Sequence, residues 1–319
     1  MKYKLLVLDV DGTLLNNQKE ISPRTLAALL KVQQMGVHIV LASGRPTNGV
    51  MPIAEKLELN HYGGYILSYN GGQIINVQTG ELLFEKRIDP EWIPYFEKKA
   101  KKNDFAIFTY HKDFILTDKP DNKYVIQEAN LNKMQIVGVD NFAEAVDFPP
   151  CKCMLASDDE EALIGLENHW KKRLDGVLDA FRSEPYFLEV VPQFIDKGNT
   201  LGVLMTKLSV SPEEVIAIGD GVCDVTMLQL AGVGIAMGNA EDSVKACVDK
   251  TTLTICIRRP CRSDHAGRRT HPPAIRHPTW RGDTRIGRNG CRVRIDDPGQ
   301  TRRNRGRYAS QWQPYVICP

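Results

Sequence analysis

The chain has no apolar run approaching the roughly 20 residues of a membrane-spanning helix, no CxxC pair, no internal repeat and no lysine after Lys250. Each absence removes a class of protein. Without the apolar run, a membrane-spanning helix drops out. The N-terminus opens directly on Lys4-Leu5-Leu6-Val7-Leu8 and lacks the apolar stretch and small residues of a signal peptide, so the expected compartment is cytoplasmic. The eight cysteines include Cys151 and Cys153, two apart, which is the spacing of neither a zinc ribbon nor a redox pair. On a strand both would face one side as small core residues. His38, His61, His111 and His169 show no ligand spacing either.

The missing lysines expose a split in charge. The whole chain of 319 residues carries +2, but residues 255–319 hold 15 Arg against 4 acidic residues, and the body before them is −9. An acidic body argues against a nucleic-acid surface there. The tail changes from Lys to Arg and loses apolar periodicity. A nucleic-acid-binding arm, a disordered tail and a changed reading frame or fusion all remain open for it. The changed frame accounts best for the abrupt switch, and we take 255–319 as disordered or non-native. Its few aromatics have no regular spacing and form no stacking platform.

At roughly 100–200 residues per domain the length allows about two, and 42% hydrophobic residues supply their cores. Residues 4–10 form a short apolar run of the kind found in buried parallel strands. Ser22-Pro23 reads as a helix cap and first-turn proline, leading a helix with Leu26, Leu29, Leu30 and Val32 that stops at Gly36. A second apolar strand runs from Val37 to Ala42, so strand, helix and strand make a βαβ unit and imply a parallel sheet. A helix over 47–58, a strand Tyr65–Ser68 and an Asn70-Gly71-Gly72 turn follow. From 82 to 188 helical stretches mix with strand-like pieces such as Phe105–Tyr110, Lys152–Ala156 and Phe187–Val191, which we assign to an inserted α+β domain. Residues 189–254 return to α/β alternation and complete, with 1–81, the first domain.

Chemistry gathers where the apolar strands stop. Asp9-Val10-Asp11-Gly12-Thr13 closes the first strand, and ligands of open α/β sheets bind beyond such carboxyl ends. Gly219-Asp220-Gly221-Val222-Cys223-Asp224 follows another apolar strand. Acids so placed repel unless a cation neutralises them, and Mg²⁺, a hard ion that takes carboxylates and phosphate, would do so. Ser43-Gly44 and Lys197 offer a hydroxyl, a backbone N–H and an ammonium to phosphoryl oxygens. Taken singly, these features allow plainer readings: Lys197 as a solvated lysine, and Ser43 and Asp224 as helix caps.

The ordered set resembles the haloacid dehalogenase superfamily: Asp-x-Asp-Gly-Thr at 9–13, Ser43, Lys197 and Gly-Asp-Gly-x-x-Asp at 219–224. The insertion between the second and third motifs resembles the Cof-type members, and further matches occur at Ser43-Gly44-Arg45-Pro46, Tyr69-Asn70-Gly71-Gly72, Pro185-Tyr186-Phe187-Leu188-Glu189 and Ala236-Met237-Gly238-Asn239-Ala240. The resemblance covers about residues 1–254 and implies a Rossmann-like core, a cap domain and a Mg²⁺-dependent phosphatase of small phosphate esters, sugar phosphates foremost, working as a monomer or weak homodimer. It implies Asp9 as nucleophile and Asp11 as acid and base. Mg²⁺ would lie on Asp9, the Asp11 carbonyl and Asp220, with Asp224 in support. Val10 N–H, Ser43, Gly44 and Lys197 would hold phosphate, while Arg45 and Asn70 orient substrate or meet the cap. Relatives carry Asn where this chain has Cys223, and a thiol is a weak donor in place of an amide. A phosphomutase, or a weakened phosphate-binding homologue, is the alternative function.

Overall fold

The structure is a computed structural model that describes residues 2–248 and 250–252, together with the backbone of Ile257–Arg258 and Arg292–Val293, which pair antiparallel. Apart from that pairing, the reading of 255–319 falls outside the described residues. Along the chain, β1 (Leu5–Asp9) leads to α1 (Pro23–Gln34), which begins where the Ser22 hydroxyl accepts the Thr25 N–H at 3.1 Å. Then come β2 (His38–Ala42), α2 (Thr47–Lys56), α3 (Leu59–Tyr62), β3 (Tyr65–Ser68), β4 (Gln73–Asn76) and β5 (Leu82–Glu85). The middle of the chain forms α4 (Ile93–Asn103), β6 (Ala106–His111), β7 (Phe114–Thr117), α5 (Lys123–Asn132), β8 (Gln135–Gly138) and α6 (Phe142–Ala145). It continues through β9 (Cys153–Ala156), α7 (Glu160–Arg173), β10 (Leu178–Glu184) and β11 (Phe187–Pro192). The last described part is α8 (Lys197–Leu208), β12 (Val215–Gly219), α9 (Val225–Leu230), β13 (Val233–Met237), α10 (Asp242–Lys245) and β14 (Lys250–Thr252).

Two sheets result. The first has the order β14-β13-β12-β1-β2-β3-β4-β5, parallel from β14 to β3 and antiparallel beyond. Its strands bury both faces. Leu6, Leu8, Ile39, Leu41, Ile66 and Ile218 pack under α1 and α2, against Leu29, Val50 and Ala54. Leu5, Val7, Val40, Leu67 and Ala217 face α8 and α9, against Leu201, Leu204 and Met227. Burial on both sides is why these strands read as continuous apolar runs rather than as alternation.

The second sheet, order β10-β11-β9-β6-β7-β8, is antiparallel except between β7 and β8. Here alternation governs. Ile107 and Leu155 point to a core with Phe96, Phe142 and Trp170, while Ala106, Phe108, Tyr110 and Met154 point to the opposite side with Val125 of α5.

Sheet membership shifts the edges of the insertion. Leu82–Glu85, placed at its start from sequence, pairs with β4 in the first sheet, because the turn at Gly80, with φ +73°, folds the chain back as a hairpin. At the other end β11 runs on to Pro192 inside the second sheet. A groove of about 400 Å³, lined in part by Leu228, Ala231, Val233 and Val248, lies near β14 at the far edge of the first sheet. Among the described residues, no helix is long and apolar enough to cross a membrane.

Candidate functional site

Because β13, β12, β1, β2 and β3 are parallel neighbours, their carboxyl ends lie along one edge, with Asp9 opposite Ala42 and Gly219 opposite Ala236. Asp9, Asp220, Ser43, Asn70 and Asn239 each stand at or within two residues of a strand end there. Lys197 comes from the first position of α8, after β11 of the second sheet, and is 1% exposed. Its ammonium donates to Asp9 Oδ1 at 2.7 Å and to Asp224 Oδ1 at 2.6 Å. Asp9, Asp220 and Asp224 each present an oxygen within 4.8 Å of the others.

Negative charge is in excess. Burial pushes the Asp9 carboxyl up to about 8; Lys197 opposes this, and Asp224 and Asp220 add to it. Asp220 is likewise raised, by burial first and by Asp224, against a hydrogen bond from Thr13. Burial works against the charge on Lys197, but Asp9, Cys223 and Asp224 hold its ammonium well above the usual lysine range. Asp9 Oδ2 is buried without a hydrogen-bond partner.

The three carboxylates differ in what they have left to offer. Asp224 accepts from Lys197 through Oδ1, and through Oδ2 from the backbone N–H of Asp220 (3.0 Å) and Gly221 (2.9 Å), so its oxygens are already engaged. Asp220 accepts from the Thr13 hydroxyl at 2.5 Å and from Asn239 Nδ2 at 3.0 Å. The same Asn239 amide donates to the Gly12 carbonyl at 3.0 Å, tying the two acidic loops together. Gly12 adopts φ +88°, and a Cβ there would overlap the Asp220 carboxylate, so the close approach of the loops requires glycine. The oxygen-only donor set, the surplus of carboxylate over ammonium and the bare Asp9 Oδ2 fit a hard divalent cation.

Asp11 faces a different environment. Arg45 grips it with two bonds, Nε to Oδ2 and Nη2 to Oδ1, both 2.6 Å, and Lys19 adds a third at 2.8 Å. Burial would raise this carboxyl, but Arg45 and Lys19 outweigh it and hold it below the usual range. Arg45 also reaches the Leu131 carbonyl of α5 at 3.4 Å and so meets the inserted unit. Asn70 meets the second sheet too, donating to Glu189 at 3.2 Å. Val10 is fully buried behind Asp9. Ser43 is 2% exposed and its Oγ accepts the Arg45 N–H at 3.1 Å, which leaves the hydroxyl hydrogen to donate elsewhere. Cys223 is exposed, with Sγ 3.8 Å from Asp224 Oδ1, and desolvation pushes the thiol up to about 12 against the opposing pull of Lys197.

Three contributors were not named as site residues from sequence: Thr13, Asn239 and Lys19. Thr13 and Asn239 sit inside stretches already singled out, so the signal was present. Lys19 lies in a polar loop with none. Helix α5, which supplies Leu131 against Arg45, was also missed.

Parallel strands thus bring carboxylates, an ammonium and a hydroxyl to one edge of an α/β fold, beside a second sheet inserted in the chain. A family model described as haloacid dehalogenase-like hydrolase matches residues 6–256, and the chain belongs to that family. A haloacid dehalogenase-like hydrolase from Bacteroides thetaiotaomicron superposes with a TM-score of 0.75 at 47% identity, covering 79% of this chain and 94% of that one. The phosphatase YwpJ of Bacillus subtilis is 29% identical over 277 residues, 79% of this chain and 95% of its own. The 5-amino-6-(5-phospho-D-ribitylamino)uracil phosphatase of the same organism is 28% identical over 256 residues, 79% of this chain and 90% of its own. The chain is a phosphatase, a hydrolase of phosphoric monoesters.

Proposed function

We propose that the protein is a Mg²⁺-dependent phosphatase of small phosphorylated metabolites, sugar phosphates foremost, that works through an aspartyl-phosphate on Asp9. One observation carries the reading: Asp9 has one oxygen held by Lys197 and the other buried and bare at the edge where the strand ends converge. Lys197 thereby orients the carboxylate, so that the oxygen it holds would attack phosphorus while the bare oxygen is left for the ion. The ion would rest on Asp9, Asp220 and the Asp11 carbonyl, and when bound it would neutralise charge on the carboxylates and the phosphoryl oxygens. Asp224, whose oxygens are engaged by Lys197 and two amides, would hold the lysine and the Asp220 loop in place rather than ligate.

Val10 N–H, the Ser43 hydroxyl, Gly44 N–H and Lys197 would bind the phosphoryl oxygens in line with Asp9. Asp11 would protonate the leaving oxygen and then take a proton from the attacking water. It can act as an acid only once Arg45 releases it, and substrate oxygens are the competing acceptors for that guanidinium. The inserted domain would serve as the cap that excludes water and selects the leaving group. The relative that acts on a phosphorylated ribityl compound supports a polyhydroxylated substrate.

The test is Mg²⁺-dependent phosphate release from p-nitrophenyl phosphate and a panel of sugar phosphates, by the wild type and by Asp9→Asn. Loss of the nucleophile should lower turnover by on the order of 10⁴-fold or more. Equal rates would sink the reading, and leave a protein that binds phosphate without turning it over. A rate that depends on an added sugar bisphosphate would point instead to a phosphomutase.

A further inference from the structure

The loop that follows β2 is gripped by a buried ion pair that belongs to the cap. Lys152, just before β9, is 3% exposed and pairs with Glu189 on β11, 4% exposed, at 3.1 Å. The ammonium's second contact crosses to the other sheet's loop and donates to the Gly44 carbonyl at 3.0 Å. Its remaining side lies over the Tyr110 ring, 5.4 Å from the centroid. Glu189 reaches the same loop by another route. It accepts from Asn70 Nδ2 at 3.2 Å, and the Asn70 backbone N–H donates to the Ser43 carbonyl at 2.9 Å. Asn70 is held there by a turn in which Tyr69, Asn70 and Gly71 all have positive φ, at +54°, +57° and +102°, a costly conformation for the first two.

The Gly44 carbonyl and the Arg45 N–H are the two ends of one peptide group. Lys152 holds the oxygen, while the N–H donates to Ser43 Oγ at 3.1 Å. A cation on the carbonyl polarises the peptide and strengthens its N–H as a donor. That bond occupies a lone pair on Ser43 Oγ and directs the hydroxyl hydrogen away from the loop. A buried ion pair is a poor way to fill space, since apolar residues of similar volume commonly do as well or better. Its value here lies in where the ammonium points.

We propose that Lys152 is a positioning residue: acting through the Gly44–Arg45 peptide, it fixes the Ser43 hydroxyl as a donor to the phosphoryl group. The proposal rests on the phosphatase reading for Ser43, and the test separates the two. It is a double-mutant cycle of wild type, Lys152→Met, Ser43→Ala and the double variant. The readouts are kcat/KM for p-nitrophenyl phosphate and the dissociation constant for inorganic phosphate in Mg²⁺ buffer. Lys152→Met should lower kcat/KM by about 10- to 100-fold, the size of one charge-assisted hydrogen bond. It should weaken phosphate binding in the same direction. In the Ser43→Ala background the same change should cost less than about 3-fold, because the group it acts through is gone.

Losses that multiply in full would overturn the proposal, as would an unchanged wild-type-background rate. The variant Lys152→Met/Glu189→Gln removes both charges and guards against misfolding around a lone carboxylate. It should show the same loss, and recovery of the wild-type rate would also overturn the proposal. If the wild type turns over no faster than Asp9→Asn, the phosphatase reading fails while the phosphate-binding cycle still decides the role of Lys152. Absence of phosphate binding altogether would end both.

Discussion

The two sheets handle charge in opposite ways. At the carboxyl edge of the first sheet, Asp9, Asp224 and Lys197 are all nearly sealed from solvent and meet at bonding distance. Around the second sheet, pairs such as these are open: the side chains of Lys123 and Asp158 are 63% and 71% exposed, and Asp104 is 94% exposed opposite Lys119. Strand direction explains the difference. Parallel strands stop on one edge, so the residues after them converge, and charges can be buried because several partners arrive together. Antiparallel strands send successive ends to opposite edges, and the side chains near them meet water instead. The first sheet can therefore assemble a reaction site, whereas the second can shape access to one. Lys152 and Glu189 differ from these, a pair with both partners buried, where it faces the first sheet's loops.

The strongest way to break this contrast is to remove the ammonium that holds the first site together. Lys197→Met leaves Asp9 and Asp224 facing each other without a cation, and removing one partner of a buried pair costs about 3–5 kcal/mol. Urea unfolding in EDTA should show a loss of that order, with hydrolysis lost as well. A variant as stable as the wild type would mean that the carboxylates are not desolvated together, and the contrast between the sheets would fall.

A pH series sharpens the same point. The Asp9 carboxyl is raised from 3.8 to about 8, so between those values the native chain keeps a proton that the unfolded chain has released. Stability in EDTA should therefore fall as pH rises through that window. Asp9→Asn removes the titrating group, so the gap between wild type and variant should change steadily from pH 5 to pH 8. Mg²⁺ should flatten the wild-type slope. A gap independent of pH would contradict the burial argument.

How much of this could be read from the chain follows from the same geometry. Parallel strands buried on both faces leave continuous apolar runs in sequence, and the residues just after each run are the site. Asp9, Ser43 and Asp220 could be located in that way, and so could the βαβ order; Lys197, at the start of α8 after an antiparallel strand, stood out only through the family pattern. The cap resisted. Helix α5 carries a mixed face with Lys123, Glu128 and Asn130, and β7 and β8 are four-residue strands, too short for a period to declare itself. Lys152 was invisible as a candidate because its partners, Gly44 and Glu189, lie 108 and 37 positions away and only the docked cap brings them together. The edge of the insertion was misplaced for a similar reason. A hairpin partner such as Leu82–Glu85 takes its identity from the strand it pairs with, not from its own residues.

Cys223 offers a smaller test, still within the first site. Its thiol stands beside Asp224 as a weak donor where the family pattern implies an amide. Cys223→Asn should raise kcat/KM by about 10- to 100-fold if an amide there bonds the phosphoryl group in the transition state. Stability should change little, because the residue is exposed on one side. An unchanged rate would mean that the four bonds to Lys197 and Asp224 already order the loop without help from position 223.

The smallest effect is expected on the cap surface. Lys123 bonds Asp158 at 2.6 Å, yet both side chains are mostly in water, where such pairs contribute little. Lys123→Ala should leave the urea midpoint unmoved and kcat/KM for p-nitrophenyl phosphate unchanged. Larger substrates make the measurement informative. Lys123 lies at the start of α5, and the far end of that helix carries Leu131, the residue that meets Arg45. If kcat/KM for a sugar phosphate fell while the value for p-nitrophenyl phosphate held, the cap's exposed lysine would be touching the leaving group. Charge on the second sheet would then take part in substrate selection rather than merely solvating the cap. Equal values for both substrates keep the division intact, with recognition left to the buried groups at the seam between the sheets.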